Sequence, residues 1–291
     1  MQGKVSFLKI MRIITHIADM QSLADSLRRE NRRIGFVPTM GYLHEGHMSL
    51  IRQARKEADV VVVSIFVNPT QFGPSEDFNR YPRDKEGDLA KCNAVGADIV
   101  FIPDAMEMYS DQYTVFVTVE GISDILEGAV RPGHYRGVAT VVAKLFHIVK
   151  PHVAFFGQKD YQQCIIIKRM VKGLNMDVNI AVQPTIREVD GLAMSSRNAY
   201  LNAEERRAAA AIFRALSAAA SLVKSGVKEI EQIRNKMQTL LLENKGLSID
   251  YIQIADPETL VPQISVMDSM VILVAIRLGS TRLIDNIEIR R

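Results

Sequence analysis

The 291-residue chain has a formal net charge of +3, with 47% hydrophobic and 24% charged residues, an ordinary globular balance that excludes a disordered chain. Its apolar runs fall short of the roughly 20 residues that span a bilayer, and the first ten residues lack the apolar core of a signal peptide, so no membrane partner and a cytoplasmic location are expected. Cys92 and Cys164 form no CxxC pattern and are expected to be plain thiols, while the dispersed charge gives nucleic acid no footprint and suits a small anionic substrate.

In chain order, a helix predicted over 19–29 precedes a first strand at 34–37. Further strands are predicted at 60–67, 98–102, 114–119, 153–156 and 178–182, several too continuously apolar for a sheet with one wet face. Helices predicted over 47–58, 84–95, 137–149 and 160–172 lie between them. This alternation is the signature of βαβ units in an α/β, Rossmann-like, doubly wound parallel sheet. After Arg197 the pattern changes to an Ala-rich helix over 203–224, a helix over 227–243, and strand-like runs at 250–254, 270–276 and 282–287. These read as a smaller α+β domain, with the division near Pro184 giving domains of 1–184 and 185–291. No Gly/Ser/Pro linker marks that division.

The run Pro38-Thr39-Met40-Gly41-Tyr42-Leu43-His44-Glu45-Gly46-His47 leaves the first predicted strand and enters a helix, so it falls at the carboxyl edge of the sheet, where ligands bind. Helix N-termini attract phosphate, and Gly41 and Gly46 would let the backbone approach an anion. His47 stands where a P-loop needs lysine, which disfavours a Walker-type site. Two imidazoles at 44 and 47 can instead donate hydrogen bonds to charge developing at an α-phosphorus. A capping histidine and a packing histidine are the plainer alternative. A zinc site is disfavoured, because HEGH lacks the HExxH spacing and no third ligand is near.

Three further loops fall beside it. Asn68-Pro69-Thr70-Gln71-Phe72-Gly73 offers two amides for hydroxyl and carboxylate recognition, or amides that merely satisfy loop backbone. Gly157-Gln158-Lys159-Asp160-Tyr161-Gln162-Gln163 brings Lys159 to the same edge, with Asp160 expected to cap the next helix and Gln163 one turn further in. Gly191-Leu192-Ala193-Met194-Ser195-Ser196-Arg197-Asn198 carries two hydroxyls and a guanidinium suited to the β- and γ-phosphates of ATP, as a lid or, more plainly, a helix-entry turn. The basic loop 131–137 could close over an anion or be a solvated turn. His16, His147 and His152 are read as structural.

Taken in order, PTMGYLHEGH, FVNPTQF, GQKDYQQ and GLAMSSRN resemble the pantothenate synthetase, or pantoate–β-alanine ligase, family over residues 12 to 290. The resemblance implies a nucleotidyltransferase-type domain with a C-terminal lid domain and a cytoplasmic homodimer. It implies Mg2+ and ATP, with ATP against Met40–His47, Gly157–Asp160, Ile186 and Met194–Arg197, and D-pantoate against Gln71 and Gln163. Asn68 is carried as a third substrate contact, and His47, His44 and Lys159 as catalytic groups, His47 matching the family's proton donor. The implied chemistry joins D-pantoate to β-alanine through pantoyl adenylate. Some relatives hold magnesium with an acidic pair and a glutamine near Asp88, where this chain has Gly87, Asp88 and Lys91. The first ten residues precede the usual family start near Met11 and receive no function. A nucleotidyltransferase acting on a phosphorylated acceptor and a regulatory module without turnover are the alternative readings.

Overall fold

A computed structural model of the chain describes residues 11–74 and 76–290. The first ten residues, and with them the signal-peptide reading, lie outside the described residues. Val60 to Val63, all within 3% of complete burial, show the pattern that builds the first layer, a strand apolar on both faces because helices cover both. In chain order this layer comprises β1 (Arg12–Ile14), α1 (Ile17–Arg29), β2 (Ile34–Thr39), α2 (Glu45–Glu57), β3 (Val60–Ile65), α3 (Lys85–Ala94) and β4 (Ile99–Phe101). It continues through the short helices α4 (Ala105–Met108) and α5 (Glu127–Val130) to α6 (His134–Val149), β5 (Val153–Gly157), α7 (Tyr161–Gly173) and β6 (Asn179–Gln183).

All five strand pairings are parallel, in the order β1-β4-β3-β2-β5-β6. The expected doubly wound parallel sheet is present. Two differences have physical causes. β1 pairs with β4 over only three residues, too few to show a period in the sequence. The run 114–119, expected as a strand, joins neither sheet. Its Val117 N–H goes instead to the Thr140 hydroxyl of α6 at 2.9 Å, so its β-branched residues reflect a path over α6.

The second layer holds α8 (Ala203–Ala209), α9 (Ala211–Lys224), α10 (Ile230–Leu242) and the antiparallel sheet β7 (Leu247–Ala255), β8 (Ser269–Leu278) and β9 (Thr281–Arg290). The single helix expected over 203–224 is interrupted at Ala210, and the next starts three residues later than expected. Asn202 and Glu205 close a reciprocal capping box on α8. Leu216, Ile233, Met237 and Ile272 lie in a core of their own. Among the described residues no helix is long and apolar enough to cross a membrane.

β2 pairs with β3 on one side and β5 on the other, so the sheet winds outward both ways from this point. In such sheets the crevice beyond the carboxyl ends of the two diverging strands is where a ligand fits. Here those ends are Thr39 and Gly157.

Candidate active site

The loop leaving β2 turns through Gly41 (φ 84°) and Tyr42 (φ 50°) before α2 begins. A left-handed tyrosine costs roughly 1–2 kcal/mol. Asp88 of α3 holds the turn by accepting the Tyr42 N–H at 2.7 Å and the Leu43 N–H at 2.6 Å. A Cβ on Gly41 would stand 2.9 Å from Asp88 Oδ2, so glycine also serves this close approach. These N–H groups therefore face an internal carboxylate, and Gly41, Tyr42 and Leu43 do not line the cleft. Asp88, expected as a metal ligand, is 1% exposed with both oxygens accepting backbone N–H groups. No group of three His, Cys, Asp or Glu side chains among the described residues could hold an ion.

His44 is the N-cap of α2, and its Nδ1 accepts the Gly46 N–H at 3.2 Å. In return His47 Nδ1 accepts the His44 N–H at 3.3 Å. Because each Nδ1 is an acceptor, each neutral ring carries its proton on Nε2. Burial first, and the Lys159 ammonium second, push His44 down to about 4; burial first, and His44 second, push His47 down to about 3. At neutral pH the pair presents two uncharged Nε2–H donors. Both rings line the cleft, 4.1 Å apart between centroids. Glu45 does not line it; its exposed carboxylate pairs with Arg52.

At the end of β5 a single 3-10 turn, Gln158–Asp160, carries Lys159. Lys159 Nζ lies 3.2 Å from Asp160 Oδ1. Asp160 occupies the expected N-cap position of α7, but its side chain makes no capping bond. Lys159, Asp160, Gln163 and Gly157 line the cleft, while Gln158 does not. No protein hydrogen bond to the Gln163 side chain is present among the described residues.

Asn68 is 1% exposed. Its Nδ2 donates to Gln71 Oε1 and to the Gly137 carbonyl, each at 3.1 Å, and its Oδ1 receives the Thr70 N–H and hydroxyl. Asn68 thus lines the cleft while its amide is engaged in building the loop. The loop sits so close to α6 that a Cβ on Gly137 would lie 2.3 Å from the Thr70 carbonyl. Gln71 lines the cleft with its Nε2 against Met40 Sδ at 3.0 Å. His134 fixes the Gln71 main chain: Arg131 can only donate, so His134 Nε2 accepts from it at 3.0 Å and Nδ1–H donates to the Gln71 carbonyl at 2.8 Å. Burial first and Arg131 second push His134 down to about 4. Arg131 itself pairs with Glu76; Arg131 and His134 line the cleft, while Pro132, Gly133 and Arg136 are exposed.

The run 194–197 lies across the cleft from these loops. Ser196 donates to the Tyr42 carbonyl at 3.3 Å, and Ser195 accepts the Arg197 N–H at 3.3 Å. Arg197 makes a two-bond pair with Asp77, at 3.0 and 2.9 Å. Ile186 and Met194 complete this wall. The cleft holds about 230 Å³ and meets a polar cavity of about 430 Å³, the two sharing Lys159, Gln163 and Arg197.

The profile of the Pantoate-beta-alanine ligase family matches residues 12–288. The chain belongs to that family. It is 52% identical to the pantothenate synthetase of Geobacter sulfurreducens, over 95% of this chain and 98% of that protein, and 50% identical to that of Acetivibrio thermocellus, over 95% and 99%. The crystal structure of pantothenate synthetase from Thermus thermophilus superposes with a TM-score of 0.92 at 45% identity, covering 97% of this chain and all of that one. The pantoate–β-alanine ligase from Francisella tularensis, complexed with β,γ-ATP and β-alanine, gives 0.78 at 36% identity, covering 96% and 97%. The chain is therefore an enzyme of the ATP-dependent ligase class.

Within this family site, Asp77 and Thr185 were absent from the sequence motifs, and His134 was read only as part of the basic loop 131–137. Asp77 lies in a polar loop with no spacing signal, and His134 acts through a contact 63 residues away in sequence. Thr185 lines the cleft with a buried hydroxyl that has no protein partner; its position just past a strand end was the available clue.

Proposed function

We propose that the chain condenses D-pantoate and β-alanine into pantothenate, with ATP cleaved to AMP and pyrophosphate. One observation carries this reading: the switch point of the sheet gathers two neutral imidazole donors, one lysine and two amides, from three separate segments, around one cleft. The names of the relatives and the β,γ-ATP and β-alanine complexed with the Francisella protein supply the substrates.

In the first step a pantoate carboxylate oxygen bonds to the α-phosphorus of Mg-ATP as the Pα–O bond to pyrophosphate breaks. The amine of β-alanine then bonds to the acyl carbon, AMP leaves with the C–O electrons, and the amine gives up a proton. The Nε2–H groups of His44 and His47 and the ammonium of Lys159 suit phosphate oxygens, whose charge shifts as pyrophosphate departs. His47, neutral and with its proton on Nε2, serves as a donor to that group. Gln71 and Gln163 suit the hydroxyls and carboxylate of pantoate. Met40, Gly46, Gly157, Ile186 and Met194 contact the nucleotide, and Ser195, Ser196 and Arg197 meet its outer phosphates. A water-poor cleft protects the acyl adenylate from hydrolysis. Mg2+ would supply charge neutralisation at the phosphates of ATP; the carboxylate lining the cleft, Asp160, is paired with Lys159.

The reading includes a division near Pro184, a cytoplasmic location and a homodimer. The run 114–119 has no partner strand here and exposes Val115 at 68% and Phe116 at 40%, a surface a second copy can cover; light scattering of the purified chain tests this. The activity is tested by AMP and pyrophosphate release from Mg-ATP with D-pantoate, with and without β-alanine. Pantothenate formed only with all three substrates supports it; ATP binding without turnover overturns it.

A further inference from the structure

We infer that Asn286, in the C-terminal sheet, is a positioning residue for Lys159 and makes adenylation depend on the docking of that sheet onto the nucleotide layer. The inference rests on the activity proposed above. β9 is a strand with two occupied faces. Its odd positions Thr281, Leu283, Asp285 and Ile289 are buried, and Leu283 and Ile289 join the C-terminal core. Its even positions meet the first layer, Arg282 through Glu127 and Asn286 through the lysine turn.

Asn286 is 3% exposed. Its one amide nitrogen donates to two successive carbonyls, Gln158 and Lys159, each at 2.9 Å. A flipped amide would set oxygen against both carbonyl oxygens, so chemistry fixes its orientation. Gripping both carbonyls fixes the two peptide planes that flank the Lys159 Cα, and with them the direction in which the Lys159 side chain leaves the turn. Asn286 is itself held: its N–H donates to Asp285 Oδ1 at 2.8 Å, and its carbonyl receives Arg187 Nη2 at 3.4 Å. Arg187 pairs with Asp285 by two bonds and lies one residue from Ile186 on the opposite wall of the cleft. β9 thus ties the lysine turn to the segment that leads into the 194–197 run.

Such a tie matters because a misplacement of about 1 Å at a reacting centre can cost on the order of 10²-fold in rate. The test is a double-mutant cycle in the full-length enzyme: wild type, Asn286→Ala, Lys159→Ala and the double variant, each checked for folding by circular dichroism. Pantoate-dependent adenylation is followed as kcat and as KM for pantoate. The expected result is a 10- to 100-fold loss of kcat in Asn286→Ala with KM for pantoate within about twofold. In the Lys159→Ala background the same substitution should change kcat by less than about threefold. Equal losses in both backgrounds would show a merely structural role and overturn the inference, as would an Asn286→Ala enzyme with wild-type kcat. If Asn286→Ala does not fold, Asn286→Asp, of the same shape but without the two donors, takes its place in the cycle. A folded wild type that makes no adenylate sinks the proposed function and this inference with it, whereas an active wild type with additive losses sinks this inference alone.

Discussion

The histidine pair makes a pH prediction that separates it from ordinary imidazoles. An unperturbed histidine near 6.5 would be about 90% protonated at pH 5.5, but one at about 4 would be only about 3% protonated, and His47, at about 3, less still. Protonation of either ring would place charge on an Nδ1 that now accepts a backbone N–H, and would open the capping box that aims both rings. The adenylation half-reaction should therefore keep a flat histidine contribution from pH 8 down to about 5. The assay is pyrophosphate–ATP exchange with D-pantoate, which avoids titration of the β-alanine amine, in wild type and in His44→Gln and His47→Gln. Each variant should lose on the order of 10²-fold in exchange rate, with the remaining pH profile parallel to wild type because titration of ATP is common to all. An acid limb with an apparent pKa between 6 and 7, present in wild type and absent from one variant, would refute the neutral-donor reasoning.

Other predictions follow from the same geometry. Asp88→Ala leaves the Tyr42 and Leu43 N–H groups unpaired in a strained turn, and should lower unfolding free energy by about 2–4 kcal/mol in urea melts; a change under 1 kcal/mol would refute its anchoring role. Arg187→Ala strands the Asp285 carboxylate, whose side chain is 1% exposed, and should cost about 3–5 kcal/mol by the same measurement. His134 has a folded pKa below its unfolded value, so the unfolded chain binds more protons below pH 6.5; stability present at neutral pH is lost as pH falls from 6.5 towards 4, by at most about 3 kcal/mol. His134→Gln should flatten that slope in melts recorded between pH 7 and 4. Asn68→Ala should lower stability by about 2 kcal/mol because it removes the buried amide's bonds to Gln71, Gly137 and Thr70, whereas Gln163→Ala should leave stability within about 0.5 kcal/mol and raise KM for pantoate. The reverse pattern would exchange their roles.

The sequence showed the sheet because βαβ alternation is a local signal: Val60 to Val63 need both faces covered whatever surrounds them. The positions of the three motifs that follow β2, β3 and β5 were legible for the same reason. Side-chain assignments were less so. Asn68 and Asp88 carry the right functional groups at the right edge, but which atoms they meet depends on α6 approaching at Gly137 and α3 approaching at Gly41, contacts made between residues tens of positions apart. β1 was hidden by its length, and 114–119 has strand composition without a described strand to pair with. The extent of the second layer was legible from its pattern, but its contact with the lysine turn was not, since an asparagine at an even position of an edge strand gives no sign of what it will face.

The electrostatics of the cleft explain why neutral donors sit among its cations. Arg197 is held by Asp77, Arg131 by Glu76 and Lys159 by Asp160, so each cation keeps a counter-charge while the nucleotide is absent. A buried guanidinium without one would be expensive. When phosphates arrive, a cation must loosen its carboxylate to engage them fully, and that exchange makes binding strength a difference between two strong contacts. The histidines face no such exchange. Their Nε2–H groups meet no protein acceptor among the described residues, and their low pKa values keep them from acquiring a charge that would need neutralising. They can therefore respond to a change in phosphate charge during the reaction while the paired cations set where the nucleotide lies, which divides transition-state stabilisation from ground-state binding along lines that the imidazole and guanidinium substitutions can measure separately.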